Sequence, residues 1–115
     1  MDMNEIRSVA KQQVKAFASV FSTDEVQVNH MVLAPGEEVP WHFHSQVRDT
    51  LYVMRGPVTI FTREPTATTT VDTGETIVTP ERQPHRVVNA SDHDISVLLI
   101  QGVGTYDFHF LPTSG

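Results

Sequence analysis

The sequence contains no cysteine among its 115 residues. Disulfide bonds, thiolate nucleophiles and zinc sites built on sulfur are therefore excluded. It also lacks any run of about 18 apolar residues, the length that a membrane-spanning helix needs. The first 15 residues contain no apolar stretch of the kind that a secretory signal carries. These absences predict a cytoplasmic protein that has no membrane partner.

Positive charge is also scarce in this sequence. Eight Lys and Arg residues stand against fourteen Asp and Glu residues, and the net charge at pH 7 is −6. The basic residues are scattered along the chain, whereas a nucleic-acid-binding surface needs them clustered. Glycine-rich phosphate loops and the Gly-x-Ser-x-Gly motif of serine hydrolases are absent as well. We therefore expect no nucleic-acid partner and no serine nucleophile.

The order of apolar stretches and turns predicts an all-β fold. A chain of 115 residues predicts a single domain over 1–115, which can bury a core without disulfides or structural metal. Between Val26 and Val103, short stretches rich in Val, Ile, Phe and Thr alternate with turn residues about every ten positions. This spacing is typical of a β-sandwich or β-barrel. The predicted strands cover residues 26–34, 39–44, 49–55, 58–63, 68–72, 76–79, 85–89, 95–101 and 105–110.

The N-terminal segment, residues 1–22, fits two interpretations. Apolar residues between Ile6 and Phe21 recur at a spacing that suits an amphipathic helix. Residues 14–21, followed by the turn-forming residues 22–25, also suit a strand that forms a hairpin with 26–34. A small open barrel gains more from an added strand than from a lone helix, so the sequence favours the strand, packed on the barrel.

Three of the six histidines stand where they could meet an acid. His42 and His44 lie two residues apart, which places both on one face of a strand, about 7 Å apart. Asp49 opens the next predicted strand, and His85 stands where a later strand restarts after a proline. Imidazoles and a carboxylate without sulfur suit one divalent first-row ion, namely Fe, Mn, Ni, Co, Cu or Zn. The other histidines have no partner at a ligand spacing and are expected to be hydrogen-bonded or exposed.

Two runs of the sequence carry the spacing of a known pair of motifs. Residues 36–56 read as glycine, five residues, His-x-His, four residues, an acid, six residues and glycine. Residues 74–89 read as glycine, five residues, proline, one residue, arginine, two residues, histidine, three residues and asparagine. Both runs resemble the two sequence motifs of the cupin superfamily. The resemblance implies a double-stranded β-helix, or jelly-roll, barrel of six to eight strands that is often dimeric and holds a metal inside its mouth.

By the matched positions, the resemblance implies that the metal ligands are His42, His44 and His85, with Asp49 as the fourth. Two residues depart from the motifs: Asp49 replaces the usual glutamate, and Arg82 replaces the usual glycine of a turn. Aspartate is one methylene shorter than glutamate. It can therefore coordinate the ion directly, reach it through water, or orient a histidine through its other ring nitrogen.

The expected function is that of a metal-dependent cupin enzyme that acts on a small polar organic molecule. Dioxygenase chemistry is slightly favoured, because a three-histidine site suits it when the carboxylate is weak. The alternatives are a non-redox isomerase or lyase, and a non-catalytic module that binds or senses a small ligand. No residue stands out as the general base, although His30, Tyr106 and His109 are possible bases.

Alternation along the strands also predicts what faces outward. If His42 and His44 point into the barrel, then Trp41 and Phe43 point away from it. Exposed rings of that size usually need a cover. The cover is expected to be residues 14–21 or a second subunit, and the resemblance favours a homodimer.

Overall fold

The structure, a computed structural model, describes residues 14–111, and every regular element in that range is a β-strand. This confirms the predicted all-β fold. Residues 14–111 include no helix of the length and apolarity that a membrane crossing requires. The strands are β1 (Ala16–Ser22), β2 (Gln27–Leu33), β3 (Glu38–Phe43), β4 (Arg48–Arg55), β5 (Val58–Thr62), β6 (Ala67–Val71), β7 (Thr76–Thr79), β8 (His85–Val88), β9 (Ile95–Gly102) and β10 (His109–Phe110).

The strands form two antiparallel five-stranded sheets that interleave along the chain. Sheet I has the order β1-β2-β9-β4-β7, and sheet II has the order β10-β3-β8-β5-β6. Successive strands such as β2 and β3, or β4 and β5, lie in different sheets, so the chain winds back and forth between them. This is the double-stranded β-helix that the sequence predicted.

Apolar residues at every second position build the core between the two sheets. In β2 and β9, buried and partly exposed residues alternate along most of the strand, as one buried face requires. Both sheets contribute side chains to one cluster. Its fully buried apolar members include Met31, Leu33, Leu51, Val53, Val58, Ile60, Val87, Ile95 and Val97.

Most predicted strands agree with the structure to within two residues at each end. The N-terminal segment forms β1, which pairs with β2, so the strand interpretation is confirmed and a helix over 14–21 is wrong. Residues 1–13 lie outside the described part. The strand predicted over 105–110 is also wrong, because only its last two residues form β10. Residues 103–108 instead form a loop whose side chains and carbonyls bind other parts of the chain.

Trp41 and Phe43 point away from the buried histidines, as the alternation predicted. Residues 14–21 do not cover them, because β1 pairs with β2 at the edge of sheet I, whereas Trp41 and Phe43 lie in sheet II. The guanidinium of Arg63 lies 4.1 Å from the Trp41 ring centroid, and His109 stacks on Phe43 at 4.7 Å. Cation–π and ring-stacking contacts thus cover both rings partly.

Arg82, which stands where the motif has glycine, has a left-handed backbone with φ of 66°. Its backbone N–H donates to the carbonyl of His44, 2.6 Å away, so the turn is tied to the strand that carries the histidines. A left-handed conformation costs a residue with a Cβ about 1–2 kcal/mol, and glycine avoids most of this cost.

We expect Arg82→Gly to raise the free energy of unfolding by about 0.5–1 kcal/mol, since the relief of strain exceeds the added flexibility of the unfolded chain. Denaturant unfolding will measure it. Gln83→Gly is the control, because Gln83 lies in the same turn without a positive φ, and it should destabilise the protein. A loss of stability in Arg82→Gly would contradict the prediction.

Candidate metal centre

Two neighbouring strands of sheet II bring the first two histidines together. His42 in β3 and His85 at the start of β8 are direct cross-strand partners, with ring centroids 4.1 Å apart. The pairing of β3 with β8 is irregular between Val39 and His42, where Pro40 has no N–H to donate. His44 follows one residue after β3 ends and points to the same side as His42.

Asp49 reaches the three histidines from sheet I. It lies in β4 and is 2% exposed, and the three histidines are buried to a similar degree. Its Oδ2 atom lies 2.7 Å from Nε2 of His85, 3.1 Å from Nε2 of His44 and 3.9 Å from Nε2 of His42. One ligand atom from each of the four residues lies within 4.8 Å of all the others. The structure therefore brings together all four residues predicted from the sequence.

The backbone fixes which nitrogen of each ring faces the centre. Nδ1 of His42 lies 2.8 Å from the carbonyl of Pro40, and Nδ1 of His85 lies 3.0 Å from that of Gln83. Nδ1 of His44 lies within hydrogen-bond distance of the carbonyl of Asp107. A carbonyl only accepts, so each Nδ1 carries a hydrogen, and Nε2 is the ring nitrogen that faces the centre. This arrangement is typical of histidines that bind a metal.

The electrostatics of the cluster favour a cation. Burial, together with the nearby His85, lowers the pKa of His42 to about 4, so that its ring is neutral at pH 7. Burial alone would raise the pKa of Asp49, but His44 and hydrogen bonds from the histidines hold it well below its usual range. Three imidazole Nε2 atoms thus surround one carboxylate oxygen. Such a donor set fits a divalent first-row ion.

Gln101 holds the other oxygen of the carboxylate. It lies directly across from Asp49 in β9, and its Nε2 donates to Oδ1 at 2.8 Å. The Tyr106 hydroxyl forms a hydrogen bond with Gln101, and burial together with the Asp49 charge raises the pKa of Tyr106. Tyr106 is therefore a neutral phenol at pH 7 and not the base considered from the sequence. Every second residue of β9 faces inward, namely Ile95, Val97, Leu99 and Gln101. A polar residue at the end of this apolar series is a sequence signal that could have identified Gln101.

Asp107 secures the segment that follows β3. Its carbonyl accepts from His44, and its Oδ1 accepts from the backbone N–H of Ser45 at 2.7 Å. Its Oδ2 accepts from the Ser45 hydroxyl and lies 3.0 Å from Nε2 of His109. Burial alone would raise the pKa of Asp107, but the hydrogen bonds from Ser45 lower it. No local pattern in the sequence predicts this role for an acid in a loop.

An apolar cavity adjoins the cluster. It has about 540 Å³ of empty space, its open mouth included, and His42 and Asp49 form part of its wall. The Phe108 ring stacks on His42 with centroids 4.4 Å apart and an angle of 11° between the planes. It also packs edge-on against His44 at 5.4 Å. Phe108 thus covers the histidines on one side and leaves the cavity as the approach for a small molecule.

The other three histidines lie outside this cluster. His30 is on the outer face of sheet I, where its Nε2 is buried without a hydrogen-bond partner. Nε2 of His93 lies 2.9 Å from the carbonyl of Gly56, and its Nδ1 lies 3.1 Å from Asp92. His109 contacts Asp107 and Phe43 on the far side of β3. None of them is placed to act as a base at the cluster.

Comparison with known proteins identifies the family but not the reaction. Residues 29–101 match the family model described as "Cupin domain". No curated protein shows a significant match to the sequence. A conserved protein of uncharacterised function from Klebsiella pneumoniae with a double-stranded β-helix domain is similar in structure. It is 18% identical, the match covers 90% of this chain and 94% of that one, and the TM-score is 0.76.

Two solved structures with named activities are also similar. A polyketide cyclase from Streptomyces resistomycificus is 19% identical, with 89% of this chain and 75% of that one covered and a TM-score of 0.73. An oxalate oxidase solved with the substrate analogue glycolate is 21% identical, with 84% of this chain covered and a TM-score of 0.73. This chain spans about half of the oxalate oxidase, 55%. At such identities the likeness establishes the fold alone.

Proposed function

The chain belongs to the cupin family, and from that premise we propose that it is a metal-dependent enzyme acting on a small organic molecule. One divalent first-row ion would be held by His42, His44, His85 and Asp49. A single observation carries the proposal: three Nε2 atoms, each freed by an Nδ1–carbonyl hydrogen bond, converge on one carboxylate oxygen. These four residues form a buried nitrogen and oxygen donor set without sulfur, which suits a divalent first-row ion.

Direct coordination by Asp49 is the favoured form of the site. Its Oδ2 faces all three Nε2 atoms, and its Oδ1 accepts from Gln101 and is turned away from them. Asp49 therefore offers the ion one oxygen. The role of orienting a histidine through its other ring nitrogen does not fit, because each Nδ1 is bonded to a backbone carbonyl.

The ion would supply Lewis acidity and, if it is redox-active, a place to bind O2. The protein would supply positioning and exclusion of water. Phe108 and the apolar cavity wall keep solvent from the histidines, and the neutral Tyr106 hydroxyl offers a hydrogen bond at the polar end. We favour a dioxygenase, because a site with three histidines suits O2 chemistry when its metal is redox-active. The alternative is a non-redox isomerase, lyase or binding module.

We expect the purified protein to hold about one divalent ion per chain. Reconstitution with Fe, Mn, Ni or Zn, removal of excess metal and elemental analysis will measure this ratio. Oxygen uptake with a panel of diketones and catechols will then separate dioxygenation from non-redox chemistry. Absence of bound metal after all four reconstitutions would rule out the proposed enzyme.

A homodimer also remains a proposal. The sequence placed Trp41 or Phe43 at or near its interface, and both rings are half-buried in the single chain. Arg63 and His109 would then lie at the rim of that interface, because they cover these rings. Sedimentation at micromolar concentration tests it, and a monomer would exclude it.

A further inference from the structure

We infer that the ligand of the cavity is a largely apolar molecule, with one oxygen-bearing head group at the metal and an uncharged hydrocarbon body against the wall. The inference rests on the metal centre proposed above. It departs from the small polar molecule expected from the sequence, because it confines polarity to one end of the ligand.

The wall of the cavity is hydrocarbon from both sheets. Sheet I contributes side chains from β1, β2 and β9, and sheet II contributes side chains from β3 and β8. Most of these residues are buried or half-buried in the protein, so the surface they present is dry and shaped by packing. The apolar residues that carry this argument are Phe17, Met31, Val39, Val87 and Leu99.

The few polar groups at the cavity are either paired or uncharged. The Gln101 amide donates to Asp49, and Tyr106 is hydrogen-bonded to Gln101. The Glu38 carboxylate accepts from the Arg86 guanidinium. Within residues 14–111, none of the residues that line the cavity is Lys or Arg. A second anionic group on the ligand would therefore lose its water without gaining a cation.

A series of linear alkyl hydroxamates on the zinc-loaded protein tests the inference by calorimetry. The hydroxamate supplies the same metal-binding head throughout, and the chain grows from acetohydroxamate to hexanohydroxamate. Each methylene buried against the wall should tighten binding by about fourfold. Affinity that does not change with chain length would overturn the inference, although the metal centre would stand. A protein that takes up no zinc would remove the metal centre and the inference together.

A charged tail gives the second arm of the test. A hydroxamate of the same length that ends in a carboxylate should bind at least about tenfold more weakly than hexanohydroxamate, because its tail finds no cation. Equal binding of the two would contradict the apolar cavity. The comparison needs no variant, so it does not depend on the folding of a mutant.

Two phenylalanines of β1 provide a matched pair of variants. Phe17 lines the cavity, whereas Phe21 lies in the same strand, is 57% exposed and does not line it. Phe17→Ala should weaken hexanohydroxamate several-fold and leave acetohydroxamate unchanged, because only the longer chain reaches the wall. Phe21→Ala should leave both unchanged. Weaker binding of hexanohydroxamate in Phe21→Ala but not in Phe17→Ala would place the alkyl chain of the ligand outside this cavity.

Discussion

Replacing His42 and His85 together by alanine is expected to abolish metal binding, with a loss of affinity of more than about a thousandfold. Removing a group that only orients a ligand already costs about 10–100-fold, so removing two ligands must cost more. The two rings are cross-strand neighbours whose Nε2 atoms both face Asp49. Elemental analysis and equilibrium dialysis will measure the loss.

The matched control removes the same number of histidines elsewhere. His30 lies on the outer face of sheet I and His93 lies in the turn beside Gly56, so the variant with both replaced by alanine should keep its metal. Circular dichroism of both double variants will separate loss of metal from loss of fold. Full metal occupancy in the His42 and His85 variant would exclude the proposed centre.

Asp49→Ala is expected to weaken binding by more than about a hundredfold, since a ligand contributes more than a group that only orients one, without abolishing it. The three Nε2 atoms keep their orientation in this variant, because the carbonyls that bind their Nδ1 atoms belong to the backbone. Equilibrium dialysis of this variant beside the wild type will measure the difference. Complete loss of metal in Asp49→Ala would mean that the carboxylate, and not the histidines, dominates the affinity.

Gly104→Ala is expected to lower the free energy of unfolding by about 2–4 kcal/mol. The backbone at Gly104 has φ of 149°, a value that residues with a side chain rarely adopt. A Cβ at this position would also lie 2.4 Å from the carbonyl oxygen of Gln46. A backbone atom cannot move aside as a flexible side chain can. The loop must therefore shift, and with it Tyr106 and Phe108, which line the cavity.

Gly36→Ala and Gly74→Ala are the controls for the clash. Both glycines have positive φ, of 81° and 85°, but a Cβ at either position would meet nothing within 4 Å. These variants should therefore lose only about 1 kcal/mol, which is the cost of the backbone conformation. Denaturant unfolding of the three variants will give the comparison. Equal losses in all three would show that the contact with Gln46 has no energetic effect.

The four residues of the cluster could be predicted because two of them lie two residues apart and the other two match the spacing of the cupin motifs. Alternation places His42 and His44 on one face of β3, and the spacing of both motifs fixes where Asp49 and His85 return to it. Gln101 could not be assigned, since its position opposite Asp49 depends on β9 pairing with β4 across a long stretch of chain. Its role as the partner of Asp49 follows only from the order of the strands in sheet I.

The loop over residues 103–108 escaped prediction for a different reason. Its alternating aromatic residues read as a strand, and strand propensity reflects packing more than backbone preference. In the structure, the carbonyl and carboxylate of Asp107 are committed to His44 and Ser45, and Phe108 stacks on His42. These contacts join residues about 60 positions apart, as the separation of 63 between His44 and Asp107 illustrates. Local sequence patterns carry no record of such partners.

The position of the cluster between the sheets has a mechanical consequence. Asp49 belongs to sheet I, whereas His42 and His85 belong to sheet II. An ion held by all of them would cross-link the two sheets. Metal binding and separation of the sheets are then thermodynamically linked, so a change that separates the sheets at the site also weakens metal binding. Slower hydrogen exchange in β4 and β8 together, on loading with metal, would report this coupling.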